Sequence, residues 1–306
     1  MNTLFKIFAF SHSAMFAINA QETVLIANDL PQNEFFTFER DVHYDVSRII
    51  PKKDSYSDGR VVIKFLGTSV APKAFSNLSK TKKDELVDYS DSFVLSLKFE
   101  KSGNQFVRFP IDCEDMFCDS PMSEIDLSGI DSSAYITNMK GMFCCCERLS
   151  SLDLSNLNTS EVTDMSCMFD GCDNLKDIKL QNFDTSNVTN MSGMFSQTGL
   201  ETLDLSHFDT KNVTDMNSMF LKSGVLKTLN VKNFNTSKVT DMSEMFYSCG
   251  ELSSLDLSSF DTHNVKKMDN MFWGNNNLQW IALGKGCSSG LFSASMATGK
   301  KVHCIF

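Results

Sequence analysis

The chain has 306 residues, 42% of them hydrophobic, which excludes wholesale disorder and allows one large or two ordinary domains with a substantial core. Its formal net charge is −10, and its basic pairs (Lys52-Lys53, Lys82-Lys83, Lys266-Lys267, Lys300-Lys301) are dispersed. That excludes a general nucleic-acid binder, because phosphate recognition needs clustered Lys and Arg.

In chain order, residues 1–20 read as a secretory signal peptide. Lys6 supplies a basic start, Ile7 to Ile18 is mostly apolar, and Ala20 precedes Gln21 at the expected cleavage point. Ser11, His12 and Ser13 interrupt the apolar run, so the alternative is a buried N-terminal helix or strand. No integral membrane span is expected, since no stretch reaches about 18 continuous apolar residues. Residues 21–108 follow a plan of their own, with strands predicted at Arg60–Leu66, Ser92–Glu100 and Gln105–Phe109, a hairpin turn at Lys101–Asn104 and a short helix at Lys82–Tyr89. This segment is either an N-terminal cap of degenerate coils or a small separate β-rich domain; the cap is the favoured reading.

Residues 109–283 are a repeat array. Met-Phe pairs recur with their Phe at 117, 143, 169, 195, 220, 246 and 272, at intervals of 26, 26, 26, 25, 26 and 26 residues. Such a period is the signature of a solenoid and falls in the leucine-rich-repeat range. It also explains why the composition holds 26 Phe and 17 Met against 5 Tyr and 2 Trp. Each unit carries Leu-x-x-Leu-x-Leu (Leu149, Leu152, Leu154; Leu200, Leu203, Leu205; Leu252, Leu255, Leu257), whose final alternation predicts a short strand. It also carries Val-x-x-Met-x-x-Met-Phe (Val162, Met165, Met168, Phe169), whose spacing predicts one face of a short helix or 3₁₀ segment. The Thr163-Asp164, Thr214-Asp215 and Thr240-Asp241 pairs suit its start. Between them lies Phe-Asp-Thr-x-Asn, as at 183–187, 208–212 and 260–264, made of turn formers that bond their own backbone.

The string Leu-Asp-Leu-Ser-x-Phe-Asp-Thr-x-x-Val-x-x-Met-x-x-Met-Phe, best seen from Leu203 to Phe220 and from Leu255 to Phe272, resembles the BspA-like family of leucine-rich-repeat surface proteins. The periodicities give an α/β, leucine-rich-repeat-like solenoid with a short strand plus a short helix per coil of 25–26 residues, closed by a β-rich N-terminal cap, and the resemblance implies that it is right-handed. The same resemblance implies adhesion or recognition at a cell surface. The last coil departs from the pattern: Lys266-Lys267 replaces Thr-Asp and both Trp273 and Trp280 fall in it. Residues 284–306 read as a C-terminal cap that ends in a strand at 301–306, because terminal repeats must close an exposed core.

Chemistry-bearing residues point to binding and not to catalysis. His12, His43, His207, His263 and His303 are scattered, and neither a phosphate loop nor a nucleophile elbow is present. No enzyme activity and no cofactor are expected. The outward strand position reads Asp126, Asp153, Lys179, Asp204, Asn230 and Asp256, a row with about 5 Å between neighbours. One reading is a partner-binding strip on the concave face; the other is a Ser/Asp ladder in which Ser128, Ser155, Ser206 and Ser258 bond between coils. The 10 cysteines leave three options open. One is buried thiols in a small-residue column (Ser120, Cys146, Cys172, Thr198, Ser223, Cys249, Asn275). A second is cross-coil disulfides Cys146–Cys172 and Cys118–Cys144. The third is a zinc set drawn from Cys113, Cys118 and Cys144 to Cys146. Paired CxxC knuckles are missing, so thiols are favoured and no metal is expected. Sequons at Asn77, Asn158, Asn187, Asn190, Asn212 and Asn235 mostly arise from the repeat text itself. The expected function is recognition of a protein or glycan by a secreted or cell-surface chain, with an intracellular scaffold docking into a larger assembly as the alternative.

Overall fold

The structure, a computed structural model, describes Phe109 and residues 111–284 without 121, 131 and 134. It also describes the strand backbones 21–26, 36–39, 48–51, 59–64, 95–100 and 303–305. The repeat strands are β6 (Glu124–Asp126), β7 (Ser151–Asp153), β8 (Asp177–Lys179), β9 (Thr202–Asp204), β10 (Thr228–Asn230), β11 (Ser254–Leu257) and β12 (Trp280–Leu283). Each lies on the predicted Leu-x-Leu text. They stack in parallel, with Leu152 beside Ile125 and Ile178, Leu229 beside Leu203, and Leu255 beside Ile281. Parallel in-register stacking places like residues over like, which is how a short repeat buries its apolar face against its neighbours.

The same ladder continues upstream. Strands β1 (Gln21–Ile26), β4 (Gly59–Lys64) and β5 (Leu95–Glu100) join β6, β7 and β8 in one parallel sheet of order β1-β4-β5-β6-β7-β8. An antiparallel pair, β2 (Phe36–Glu39) with β3 (Arg48–Pro51), is inserted between β1 and β4 in the chain. At the other end β13 (His303–Ile305) pairs in parallel with β12. The predicted turn at 101–104, the helix at 82–89 and residues 1–20 lie outside the described residues, as does most of the strand predicted at 105–109.

The helix predicted in each coil is absent: among the described residues there is no helix at all. Two left-handed columns replace it. Asp115, Gly141, Cys167, Gly193, Ser218, Glu244 and Asn270 form one, with φ between +52° and +61°; Asp119, Cys145, Gly171, Gln197, Lys222, Ser248 and Gly274 form the other, with φ between +52° and +81°. A left-handed residue every fourth position ends a helix before it can close a second turn, so the apolar spacing of three and seven is met by successive tight turns. Within a coil Met116 N–H donates to Cys113 O (3.2 Å), Cys118 N–H to Asp115 O (3.1 Å) and Ser120 N–H to Phe117 O (3.0 Å). The residues between them donate across to the next coil: Asp115 to Lys140 O (2.9 Å), Phe117 to Met142 O (2.7 Å) and Asp119 to Cys144 O (2.7 Å). Every backbone donor of the segment is thereby used, half within the coil and half between coils, which satisfies the accounting that burial demands.

The core is a set of columns. Phe117, Phe143, Phe169, Phe195, Phe220, Phe246 and Phe272 are buried and stacked, with ring centroids 5.1–6.0 Å apart. Phe183, Phe208, Phe234 and Phe260 form a second buried column under the strand-to-turn corner. The Thr beside it clamps coil to coil. Thr159 Oγ1 accepts from Asp184 N–H (2.8 Å) and donates to Asp184 O (3.0 Å), and Thr185 with Asp209, Thr210 with Asn235 and Thr236 with Asp261 repeat the exchange. Asp in the same corner bonds its own backbone as predicted, as when Ser186 N–H donates to Asp184 Oδ1 at 2.9 Å. The Thr does not; its hydroxyl belongs to the next coil.

Candidate functional site

Strand alternation sends one residue of each short strand outward. Asp126, Asp153, Lys179, Asp204 and Asp256 are exposed and Asn230 is half-buried, while their flanking Leu and Ile pack into the core. The carboxylates bond their own coil: Oδ1 of Asp126, Asp153, Asp204 and Asp256 accepts the backbone N–H of Ser128, Ser155, Ser206 and Ser258, at 2.9–3.0 Å. The predicted Ser ladder between coils is thus replaced by a turn bond within each coil. An ion pair runs along the row, from Lys179 Nζ to Asp153 Oδ2 at 2.8 Å. It holds the Asp153 carboxyl down at about 2, with help from the Ser155 hydrogen bonds. The Ser206 backbone N–H and side chain lower Asp204 likewise.

The row is not uniform. The ladder stops between β8 and β9 and resumes at β9-β10. The break coincides with the one short interval: Phe195 to Leu200 has one residue fewer than Phe169 to Leu175. Gly199 fits the shorter path because a Cβ there would run into the Asp173 carbonyl oxygen. At this seam lies a depression of about 320 Å³ whose polar wall includes Lys176, Asp177, Gln181, Thr202, Asp204 and His207. Sequence reasoning picked out Asp204 but missed the depression; the 25-residue interval was the available sign. A second break separates β10 from β11, where the coil has full length, and nothing in the geometry accounts for it.

His207 belongs to the framework. Its Nε2 lies 2.9 Å from Leu180 O, in the column where Asn182 and Asn233 donate to Ser155 O and Ser206 O. Three sequon asparagines are likewise committed: Asn187 and Asn212 donate to Ser160 O and Ser186 O, and Asn190 to Asp164 Oδ2.

Six of the eight described cysteines fall into two groups, with Cys113 and Cys167 outside both. Cys146, Cys172 and Cys249 are buried, and each thiol donates to a Phe carbonyl of the preceding coil at 3.0–3.1 Å; Ser223 does the same at 2.7 Å. That bond is why the column accepts Cys and Ser interchangeably. It places Cys146 and Cys172 as free thiols and not as a bridge. Burial pushes the Cys249 thiol up to about 12. Asn275, in the same column of the last coil, is buried with its amide unpartnered. The second group lies on the turn side of the first coils. Cys118 and Cys144 have their sulfurs 2.7 Å apart, and Cys145 Sγ is 3.9 Å from Cys144 Sγ. The hydrogen bond with Cys118 and burial raise the Cys144 thiol, and burial with the nearby Asp119 pushes Cys145 to about 11.

Stacked parallel coils, a buried Phe spine and an exposed variable strand row define a solenoid repeat protein. The chain belongs to the family described as "Mycoplasma protein of unknown function, DUF285", which matches residues 111–222 and 198–282, more than half of its length. No curated protein matches it. Among solved structures it is similar to a leucine-rich repeat protein from Bacteroides ovatus ATCC 8483, at 14% identity and a TM-score of 0.27, over 91% of this chain and 100% of that one. Among the described residues no helix is long and apolar enough to cross a membrane.

Proposed function

We propose that the solenoid is a recognition module that holds a protein partner along its strand face, and that Asp126, Asp153, Lys179, Asp204, Asn230 and Asp256 are contact residues. One observation carries this reading. The outward strand position is largely exposed and admits Asp, Lys and Asn, whereas the Phe, Thr and Asx columns repeat and are consumed by bonding between coils. An exposed position outside the buried columns is where a repeat protein varies to fit a partner. The acidic balance of the row favours a partner with a basic contact surface. The BspA-like resemblance adds export and surface adhesion to the proposal, and the β1, β4 and β5 strands support residues 21–108 as a cap of degenerate coils.

The test is charge reversal on the strand face. Full-length protein and an Asp204→Lys/Asp256→Lys variant are immobilised and exposed to the surface-protein fraction of contacting cells. A protein bound by the parent, released by added salt and lost from the variant while far-UV circular dichroism stays native is the expected result. Equal retention by both proteins refutes the strand face as the contact surface.

A further inference from the structure

We propose that Asp115, Cys118 and Cys144 form a binding site for a thiophilic divalent cation of the zinc class, with Cys145 beside Cys144 as the donor that swings in to complete it. The sequence offers its cysteines without the pairing of CxxC knuckles and gives no sign of Asp115; the coil period brings residues 26 apart into contact. The sulfurs of Cys118 and Cys144 are 2.7 Å apart and that of Cys145 is 3.9 Å from Cys144. An Asp115 carboxylate oxygen and the Cys118 and Cys144 sulfurs all lie within 4.8 Å of one another. Gly141 makes room for that carboxylate: it stands in the left-handed region at φ +58°, and a Cβ there would run into Asp115 Oδ1.

The donor set is that of zinc, namely soft sulfur with one hard oxygen in a partly exposed cluster. A tetrahedral ion with bonds of about 2.3 Å to sulfur places its ligand sulfurs about 3.8 Å apart. The Cys144–Cys145 pair meets that spacing as it stands. The Cys118–Cys144 pair opens by about 1 Å when the half-buried Cys144 side chain rotates. Each thiol that becomes a ligand releases its proton to solvent.

Two contrasts separate this cluster from framework. Cys146, Cys172 and Cys249 are spent on Phe carbonyls. And no other described coil repeats the set: the same three positions hold Gly193, Ser196 and Gln197 in one coil and Ser218, Leu221 and Lys222 in the next. A Cys118–Cys144 disulfide would use two of the four groups and give no role to Cys145 or Asp115.

The experiment uses the full chain, stripped of metal and kept reduced with a phosphine, titrated with Zn²⁺ against a chromophoric chelator and with Co²⁺ as a thiolate-sensitive probe. One ion per chain is expected. Cys144→Ser removes it, Asp115→Asn weakens it by about tenfold or more, and Cys249→Ser leaves it intact. Serine already stands in the Cys144 column at Ser196, so the metal-free variant keeps the parent's melting temperature. Three results overturn the site: no stoichiometric ion, an ion retained by Cys144→Ser, or freshly isolated protein with a Cys118–Cys144 disulfide and no ion.

Discussion

Along the Met-Phe side of the solenoid the columns run from coil to coil without a gap, whereas along the strand side the ladder stops twice. Phe195 stacks on Phe220 at 6.0 Å, and its N–H donates to Met219 O at 2.9 Å, across the same coils where β8 and β9 part. The bridge column also passes both seams, from Asn190 to Asp215 at the first and from Asp241 to Lys267 at the second. Stability in a stacked array is a sum of neighbour-to-neighbour terms, and here the turn side supplies them continuously. The strand side is therefore relieved of holding register. It can lose a hydrogen bond, shorten a loop or change a side chain without parting the coils.

The sharpest way to break this comparison is to cut the Phe column. Phe195→Ala should cost about 3–5 kcal/mol, read as a large drop in thermal or denaturant midpoint, with neighbouring coils affected as well. A midpoint equal to the parent's would show that the spine lies elsewhere. Next comes the Thr clamp. Thr210→Val keeps the shape but leaves the Asn235 backbone without both its partners, and should cost about 1–3 kcal/mol. If the strand ladder carried the array, this change would be nearly silent. The smallest effect belongs to the strand-face ion pair. Lys179 and Asp153 are 52% and 50% exposed, so solvent screens their pairing and its contribution should be the least of the three. Its sign is fixed by the lowered Asp153 pKa: the contribution is present above about pH 4, the ordinary carboxylate value, and is lost as pH falls toward about 2. Acid titration of Lys179→Met against the parent should show the two stability curves converging over that window. Curves that run parallel through it would remove the pair from the account.

Strand positions, the buried Phe and the outward row were legible because each depends on one coil's own pattern of apolar and polar residues. The turn conformation was not. Spacings of three and seven fit both a helix and a chain of tight turns, and the deciding residues were few: Gly141, Gly193 and Asn270 in one column, Gly171 and Gly274 in the other. Read down the columns instead of along the chain, those glycines announce a left-handed backbone, and the Cys, Ser and Glu at the same positions follow by stacking. The same shift of direction explains the Thr clamp. A hydroxyl whose partner lies 25 residues away leaves no mark on local sequence. The seam depression depends on the absence of one residue, which a repeat alignment records only as an irregular interval.

The bridge column has a parity. It reads Asp112, Asn138, Asp164, Asn190, Asp215, Asp241, Lys267, and a nitrogen of Asn138, Asn190 or Lys267 reaches back to the carboxylate before it, at 3.1, 3.3 and 3.1 Å. The bonding unit is consequently a dyad of coils, not a single one. Excising Asp164's coil alone would stack Asn138 on Asn190 and strip the latter of its acceptor; excising Asn138's coil together with Asp164's would set Asn190 on Asp112 and keep the rhythm. Recombination within such a gene, or an engineer extending the array, meets least resistance in even steps. Asp215 against Asp241 marks the one place where that count has slipped.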